Sequence, residues 1–290
     1  MTAAPTEPDP DELRAAVRER WERAADGWQR RNARFQQAAM PVSQWLVEAI
    51  DPQPGQRVLE LAAGVGETGF LAAELIGPGG GTLISSDGAE AMVAHARARA
   101  SELGLRNVEF QPLELEWIDL PAASVDAVLC RWGYMFALDK DAALRETRRV
   151  LKPGGQLALA AWCPPERNPF STIPRQALLD AGLIDGFDYG GGPTMFDLAD
   201  PARLRELLED AGFADPRVEE LPLTIRYEDL DDFVAATRDL SPQFADVVDP
   251  LDERQRADLL ERLTAATEPY AAPDGSLALP ALALVAAAEA

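Results

Sequence analysis

The stretch "VLELAAGVGETG", residues 58–69, determines how the rest of this 290-residue chain is interpreted. It begins as an apolar run typical of a buried strand and continues as Gly64-x-Gly66-x-x-Gly69, followed by a helical pattern. A strand that leads through a glycine-rich turn into a helix can hold a nucleotide-like ligand at the helix N-terminus. Because this spacing is also the dinucleotide fingerprint, NAD or NADP is the first candidate ligand.

Outward from this stretch, short apolar runs alternate with helical patterns. The later runs are "GTLISSD", "NVEFQPL", "VDAVLCRW" and, after a "KPGG" turn, "QLALAAW". This alternation indicates an α/β fold with a Rossmann-like, doubly wound and mostly parallel sheet of seven strands. "PRVEELPLTIRY" is predicted as one more strand. The alanines of "SLALPALALVAAA" favour a helix, but a helix there would leave the preceding strand unpaired, so we predict an antiparallel last strand.

The whole chain, 1–290, is predicted to form a single domain with a helical N-terminal extension and helical cap insertions. The extension is expected to be disordered over residues 1–10 and helical over 11–37 and 41–50. The predicted parts are the N-terminal helices (1–50), the ligand-binding half (55–163), the cap insertions (164–200 and 229–267), and the C-terminal helix and strands (201–228 and 268–290).

Net charge limits the possible partners. The chain has 49 acidic and 27 basic residues, a formal net charge of -22, which disfavours nucleic acid and anionic membrane surfaces. The N-terminus lacks the basic start and apolar middle of a signal peptide, and Cys130 and Cys163 lie in apolar runs typical of buried, reduced thiols. We therefore expect a cytoplasmic protein that acts on a small molecule, with no nucleic-acid or membrane partner.

Acidic residues argue against a nicotinamide cofactor. Glu60 lies inside the first strand, where a buried carboxylate needs a cationic partner such as a ligand ammonium. Glu67 lies at the helix start, where it would repel a diphosphate. Asp87 and Glu114 follow the second and third strands, where carboxylates can accept hydrogen bonds from a ribose diol and an adenine amine. A ligand with an ammonium, a ribose and an adenine but no phosphate is S-adenosylmethionine.

The chain resembles the class I S-adenosylmethionine-dependent methyltransferases, most closely the small-molecule group of the ubiquinone and menaquinone biosynthesis methyltransferases. Order and spacing match over about residues 55–163, and the tail "LRELLEDAGF" with its two following strands also fits. The motifs that carry the resemblance are "VLELAAGVGETG", "LISSDGAEAM", "VEFQPLELEWIDLP", "VDAVLCRWGYMF" and "LKPGGQLALAAW".

The resemblance implies a cofactor-binding role for a set of residues. Glu60 would lie near the methionine ammonium, Asp87 would bind the ribose hydroxyls and Glu114 the adenine amine. The others that it implies are Ala62, Gly64 and Gly66 in the turn, Gly88 next to Asp87, Met92, Leu115 and Glu116 near the adenine, Arg131 and Trp132 bordering the sulfonium and the substrate, and Trp28 as a lid.

Three of these positions depart from the family pattern. Ala62 stands where glycine is frequent, Glu114 where aspartate is more frequent, and Trp28 where tyrosine is usual. Other roles stay open for several residues. Glu60 could be a structural acid paired with an arginine, and Arg131 a structural partner of Glu60 or Glu114. Asp87 could be a helix cap, Glu114 part of a solvated stretch, and Trp28 a core residue.

No general base stands out in the sequence. The single histidine, His95, lies mid-helix after the second strand, and Tyr134 and Tyr189 are the weak candidates for a catalytic group. The acceptor atom would then be an amine, an activated carbon or an acidic hydroxyl. The glycine- and aromatic-containing stretch 188–196 and the aromatic run after the fourth strand suggest a lid and an apolar acceptor pocket. No metal site is expected.

Three functions remain open on these grounds. The first is methyl transfer from S-adenosylmethionine to a small, aromatic or lipophilic acceptor. The second is an NAD(P)-dependent oxidoreductase, which the glycine spacing and the position of Asp87 support, although the short-chain form lacks its Tyr-x-x-x-Lys pair. The third is a non-catalytic regulatory module that binds S-adenosylmethionine. The absence of an "NPPY"-type stretch after the fourth strand disfavours methylation of nucleic-acid bases.

Overall fold

The structure is a computed structural model that describes residues 9–186 and 192–290. The strands in these ranges belong to one sheet with the order β3-β2-β1-β4-β5-β7-β6. Their bounds are β1 Arg57–Glu60, β2 Thr82–Asp87, β3 Val108–Pro112, β4 Val125–Arg131, β5 Leu151–Trp162, β6 Ala214–Tyr227 and β7 Leu277–Glu289.

Strand direction matches the Rossmann-like prediction. Strands β1 to β5 pair in parallel, and β7 lies antiparallel between β5 and β6. The predicted strand at the C-terminus is therefore confirmed. Pairing along both of its edges outweighs the helix preference of its alanines. The carboxyl ends of β1 to β4 meet at one edge of the sheet, which is where open parallel sheets bind ligands.

Helices cover both faces of this sheet. The described α-helices are α1 Pro10–Ile50, α2 Thr68–Ile76, α3 Glu90–Glu102, α4 Lys140–Val150, α5 Pro169–Asp180, α6 Pro201–Asp210, α7 Leu230–Leu240, α8 Pro242–Val248 and α9 Glu253–Thr267. Asp200 caps α6 as its sequence suggests, since its side chain accepts from the backbone of Ala202 and Arg203.

The N-terminal extension is one helix of 41 residues, so the prediction of two helices was wrong. Pro41 lies inside α1 and removes one backbone donor. The buried face continues across it through Ala39, Val42 and Leu46, which lie in the main core. Packing of this face against the sheet offsets the lost hydrogen bond.

Helix α1 also approaches α7 closely. A Cβ at Gly27 would collide with the backbone carbonyl of Asp239, so the contact requires glycine. Arg31 reinforces it, because its Nε and Nη1 donate to Asp239 and Asp232 at 2.7 and 2.9 Å.

The "KPGG" segment is part of β5, which corrects its assignment as a turn before the strand. The pairing register with β4 shifts between Val125 and Ala127, and Gly154 has a φ of +78°. An irregularity of this kind lets extra residues leave the ladder while the strand continues. The strand therefore begins five residues earlier than the apolar run "QLALAAW" suggested.

Two further features concern the chain as a whole. Cys130 and Cys163 are buried free thiols, in agreement with the sequence, and burial raises the pKa of each to about 12. Within residues 9–186 and 192–290, no helix combines the length and apolar character that crossing a membrane would require.

Candidate functional site

The glycine turn after β1 is built on left-handed backbone. Ala62, Gly64 and Gly66 have φ values of +50°, +58° and +77°. Alanine adopts this region at a cost of roughly 1–2 kcal/mol, so Ala62 keeps the glycine-type conformation despite its Cβ. A Cβ at Gly66 would collide with the ring of Phe70, which makes this glycine necessary for the turn to pack on α2.

Glu60, the last residue of β1, has one satisfied and one unsatisfied carboxylate oxygen. Its Oε1 accepts from the Gly69 backbone N–H at 2.8 Å, while its buried Oε2 has no partner among the described residues. Burial raises the pKa of Glu60 to about 7, against the opposing effects of the Gly69 hydrogen bond and the Arg131 charge. A buried acceptor of this kind is stabilised by a cationic donor. The site therefore fits a ligand ammonium.

Asp87, at the end of β2, connects the glycine turn to the start of α3. Its Oδ2 accepts from the Gly64 backbone N–H at 2.9 Å and its Oδ1 from that of Ala89 at 3.0 Å. Burial raises the pKa of Asp87 to about 6, although both hydrogen bonds favour the ionised form. Each oxygen has a second lone pair, so the carboxylate can still accept from a ribose diol.

The acids after β3 are held by α1. Arg18 donates to Glu114 at 3.2 Å, and Arg14 donates to Glu116 at 2.6 Å. Glu116 also accepts from the backbone N–H of Asp139 at 2.7 Å. The N-terminal part of α1 thus lies over this end of the site.

Glu67 has no role toward a ligand in this arrangement. Its Oε1 accepts from Asn32 at 2.6 Å, and Arg99 pairs with it at 2.5 Å. Its side chain does not cap α2. Glu67 instead fixes α1 and α3 to the glycine turn.

Arg131, at the end of β4, is partly buried and lies against α1. Its Nη1 donates to Gln36 and Ser43, both at 2.8 Å, and its guanidinium lies 5.1 Å from the ring centre of Trp132. Burial lowers the pKa of Arg131 to about 10, opposed by the nearby charge of Glu60. The alternative pairing with Glu114 does not occur, because Glu114 contacts Arg18.

Aromatic rings form one continuous row along the site. Trp132 stacks on Trp162 with 4.3 Å between ring centres and 8° between planes. Trp28 and Trp132 have buried indole N–H groups without a partner in the described ranges. In order, the ring centres in contact are Trp21–Trp28 at 6.0 Å, Trp28–Phe35 at 4.7 Å, Phe35–Trp132 at 5.5 Å, Trp132–Trp162 at 4.3 Å and Trp162–Phe170 at 5.0 Å.

A cavity of about 360 Å³ joins these groups, a size typical of ligand sites. It brings together all the predicted cofactor residues except Gly66, which forms part of the turn but does not line the cavity. Those that line it are Trp28, Glu60, Ala62, Gly64, Asp87, Gly88, Met92, Glu114, Leu115, Glu116, Arg131 and Trp132.

Sequence reasoning missed several residues of the cavity. Arg14, Val17 and Arg18 lie on the α1 face that carries Trp21 and Trp28, and the helical spacing from those tryptophans could have identified them. The cavity residues from the predicted cap insertions could not be identified from sequence spacing, because only tertiary packing brings them to the cavity. They include Ser171, Pro174, Arg175, Thr237 and Phe244.

Tyr134 does not reach the cavity, which corrects its assignment as a candidate base. Its side chain is 1% exposed, and its hydroxyl lies 2.5 Å from Thr147 Oγ1. Because Thr147 donates to the Ala143 carbonyl at 2.9 Å, the tyrosine is the donor of this pair. Burial raises the pKa of Tyr134 well above its usual value. Tyr189, the other candidate, lies outside the described residues, and His95 contacts Asp26.

Replacing Tyr134 with phenylalanine is expected to lower the free energy of unfolding by about 1 kcal/mol, because Thr147 loses a buried donor. Affinity for S-adenosylhomocysteine is expected to stay within about twofold of the wild type, since the hydroxyl is remote from the cavity. Urea unfolding and calorimetric titration measure the two quantities. Weaker binding at unchanged stability would instead give the hydroxyl a role in the site.

Comparisons with known proteins identify methyltransferases among the similar sequences. Residues 58–155 match the family model described as "Methyltransferase domain". The ubiquinone/menaquinone biosynthesis C-methyltransferase UbiE of Shewanella frigidimarina is 28% identical over 177 residues, which cover 58% of this chain and 70% of that protein.

Two solved structures share the fold. The YcgJ protein of Bacillus subtilis superposes with a TM-score of 0.60 at 19% identity, covering 86% of this chain and 98% of its own. Phosphoethanolamine N-methyltransferase 2 of Haemonchus contortus, solved in complex with S-adenosyl-L-methionine, superposes with a TM-score of 0.51 at 17% identity, covering 86% of this chain and 52% of its own.

Proposed function

Because the chain is a class I S-adenosylmethionine-dependent methyltransferase, we propose that it methylates a small acceptor with an aromatic or otherwise apolar body. The observation that carries this proposal is the shape of the single cavity described above. One end holds the buried Glu60 and the partly buried Asp87, and the other is walled by Trp132, Trp162 and Phe170. A polar cofactor and an apolar acceptor suit these two ends.

The methionine end of the cofactor is assigned to Glu60 and Arg131. The free Oε2 of Glu60 would accept from the ammonium. Arg131 uses one nitrogen for Gln36 and Ser43, so its remaining N–H groups are available to a carboxylate. Opposite charges on one buried wall complement a zwitterion.

The adenosine end is assigned to the residues after β2 and β3. Asp87 would accept from the ribose hydroxyls, with Gly88 leaving room beside it. Met92 is 2% exposed and lines the cavity, which suits the face of an adenine. Glu114 would accept a hydrogen bond from the adenine amine, which would replace part of its contact with Arg18.

When bound, S-adenosylmethionine supplies a methyl group on a sulfonium, activated toward in-line displacement. The chain's own contribution is to align the acceptor and exclude water, which can lower the barrier by several kcal/mol. In the described ranges, Tyr227 is the tyrosine that lines the cavity, and burial raises the pKa of its hydroxyl well above the usual value, which makes it a poor general base. This supports an acceptor that needs no strong base, namely an amine, an activated carbon or an acidic hydroxyl.

Titration of the purified chain with S-adenosylhomocysteine, NADH and NADPH tests the cofactor. We expect micromolar binding of S-adenosylhomocysteine and none of either nicotinamide nucleotide. Radiolabelled methyl transfer from S-adenosylmethionine to a panel of aromatic amines, phenols and naphthols then tests the acceptor class. Binding of NADH alone would refute the cofactor assignment, while transfer only to aliphatic polar acceptors would refute the apolar acceptor.

A further inference from the structure

We propose that Glu22, on the N-terminal half of α1, is a positioning residue for the cofactor. It holds the first turn of α3 and, through that turn, the segment 87–89, to which the ribose is assigned. The inference rests on the proposed cofactor site and adds to it a residue that acts from outside. Among the described residues, Glu22 does not belong to the set that lines the cavity.

Helix α3 begins without a cap from its own N-cap residue. That residue is Ala89, which makes no side-chain hydrogen bond, so the backbone N–H groups of the first turn need another acceptor. Glu22 supplies it. Its Oε1 accepts from the backbone N–H of Glu90 at 2.5 Å, and its Oε2 accepts from that of Ala91 at 3.0 Å. A carboxylate at this place also complements the positive end of the helix dipole.

Two carboxylates share the N–H groups at the start of α3. Asp87 accepts from Ala89 at 3.0 Å, one residue before the two that Glu22 holds. The two acids lie near each other, since burial is the main cause of the raised pKa of Asp87 and the charge of Glu22 raises it further. A displacement of Glu22 would therefore move the backbone that carries Asp87 and Gly88. The geometry offered to the ribose thus depends on a side chain of α1.

The part of α1 that carries Glu22 packs on the cavity through a buried cluster that is separate from the main core. Alanines of α1 meet there residues of the glycine turn and of α3. The members of this cluster are Ala24, Ala25, Val65, Ala89 and Met92. All of them except Ala25 line the cavity, so the contact between α1 and α3 is also a wall of the cofactor site. Cofactor binding and the position of α1 are for this reason coupled, and such coupling is reciprocal.

A second polar contact between the same two helices provides the matched comparison. Asp26, one turn further along α1, lies with its Oδ1 2.9 Å from Nε2 of His95 on α3. This contact joins the helices through a side chain in the middle of α3 and leaves the first turn of α3 untouched. Loss of docking alone would follow from removing either contact, whereas loss of the ribose segment's position would follow only from removing that of Glu22. Asp26→Asn is therefore the control.

The test uses the full chain, the variants Glu22→Gln and Asp26→Asn, and two ligands. The ligands are S-adenosylhomocysteine and an analogue of it that lacks the ribose hydroxyls. Calorimetry gives each dissociation constant, and thermal unfolding shows whether each variant is folded. Hydrogen exchange at the backbone amides of Glu90 and Ala91 in the wild type, with and without S-adenosylhomocysteine, is a second measurement that needs no variant.

Glu22→Gln is expected to weaken binding of S-adenosylhomocysteine roughly 5- to 30-fold, because it removes one hydrogen bond and the negative charge at the helix N-terminus. Its affinity for the analogue should fall by less than about twofold, since that ligand does not use the ribose segment. Asp26→Asn should bind both ligands as the wild type does. In the wild type, S-adenosylhomocysteine should slow exchange at Glu90 and Ala91, as reciprocal coupling requires.

An equal loss of affinity for both ligands in Glu22→Gln would overturn the positioning role and leave Glu22 as a docking contact. No loss for either ligand, or exchange at Glu90 and Ala91 that ignores the ligand, would also overturn it. If Glu22→Gln does not fold, the exchange measurement on the wild type decides alone. Failure of the proposed function looks different, because S-adenosylhomocysteine would then not bind the wild type, and the cofactor site on which this role rests would be wrong.

Discussion

Replacing Glu60 with glutamine is expected to weaken binding of S-adenosylhomocysteine by roughly 30- to 1,000-fold, or about 2–4 kcal/mol. The amide retains an oxygen that can accept from Gly69, as Oε1 does at 2.8 Å. What it loses is the negative charge and the acceptor at Oε2, where the ligand ammonium is proposed to bind. Glu109→Gln is the matched control, because Glu109 pairs with Arg57 on an exposed part of the sheet.

Proton release provides a second signature of the same interaction. The pKa of Glu60 in the free protein is about 7, and an ammonium partner would lower it. Binding therefore releases a proton below about pH 7, and affinity rises with pH until Glu60 is ionised before binding. Calorimetry in buffers of different ionisation enthalpy measures this release. Glu60→Gln should retain only the smaller part due to Asp87, whose pKa is about 6.

The stability of the ligand-free protein should depend on pH in the opposite direction to its affinity for the ligand. The pKa of Glu60 is raised from 4.5 to about 7 in the folded state, so folding favours its protonated form. The free energy of unfolding therefore falls as the pH rises through the range between these two pKa values. Glu60→Gln should therefore be more stable than the wild type above about pH 7 while binding the product less well. A variant that is both less stable and weaker in binding would mean that Glu60 only supports the turn.

Local sequence patterns predicted most of the fold and most of the residues at the proposed cofactor-binding end of the cavity. The glycine turn and the acids at strand ends, Glu60 and Asp87, occur within a few residues of the strands that position them. A parallel sheet then brings those ends to one edge without further information. The proximity of these residues therefore followed from the sequence.

The proposed acceptor end of the cavity could not be predicted, because packing between residues distant in the sequence creates it. Arg20 appears in the sequence as one more base in a charged helix, and only the structure places it on the wall of the cavity. Tyr134 shows the converse. It follows Trp132 closely in sequence, but a 3-10 turn at Tyr134–Phe136 carries its side chain toward Thr147. Spacing alone does not reveal which way such a turn directs a side chain.

Long-range packing also explains why α1 is one continuous helix. Pro41 and the change in composition near residue 40 suggested a break, since proline disfavours a helix interior. The helix continues through Pro41 because its two halves make stabilising contacts at distant places. Leu46 packs in the main core, while Arg14 and Arg18 reach the acids after β3.

Replacing Asp87 with asparagine is expected to weaken binding of S-adenosylhomocysteine by roughly 10- to 100-fold, because hydrogen bonds to charged groups contribute about 1.5–3 kcal/mol. The carboxylate already accepts from Gly64 and Ala89, so loss of affinity could arise from the turn alone. A product analogue without ribose hydroxyls separates the two causes. The wild type should bind that analogue weakly, and the variant should lose little further affinity for it.

Asp126→Asn is the matched control for this experiment. Asp126 also accepts from a backbone N–H, that of Arg57 at 2.8 Å, and pairs with Lys152 at 2.6 Å, but it lies at the opposite edge of the sheet. Its replacement should lower stability and leave binding of both ligands unchanged. An equal loss of affinity for the product and for its analogue in Asp87→Asn would show that Asp87 acts through Gly64 and Ala89 only. The ribose would then have to be held by other groups at the end of β2, with Gly88 the nearest.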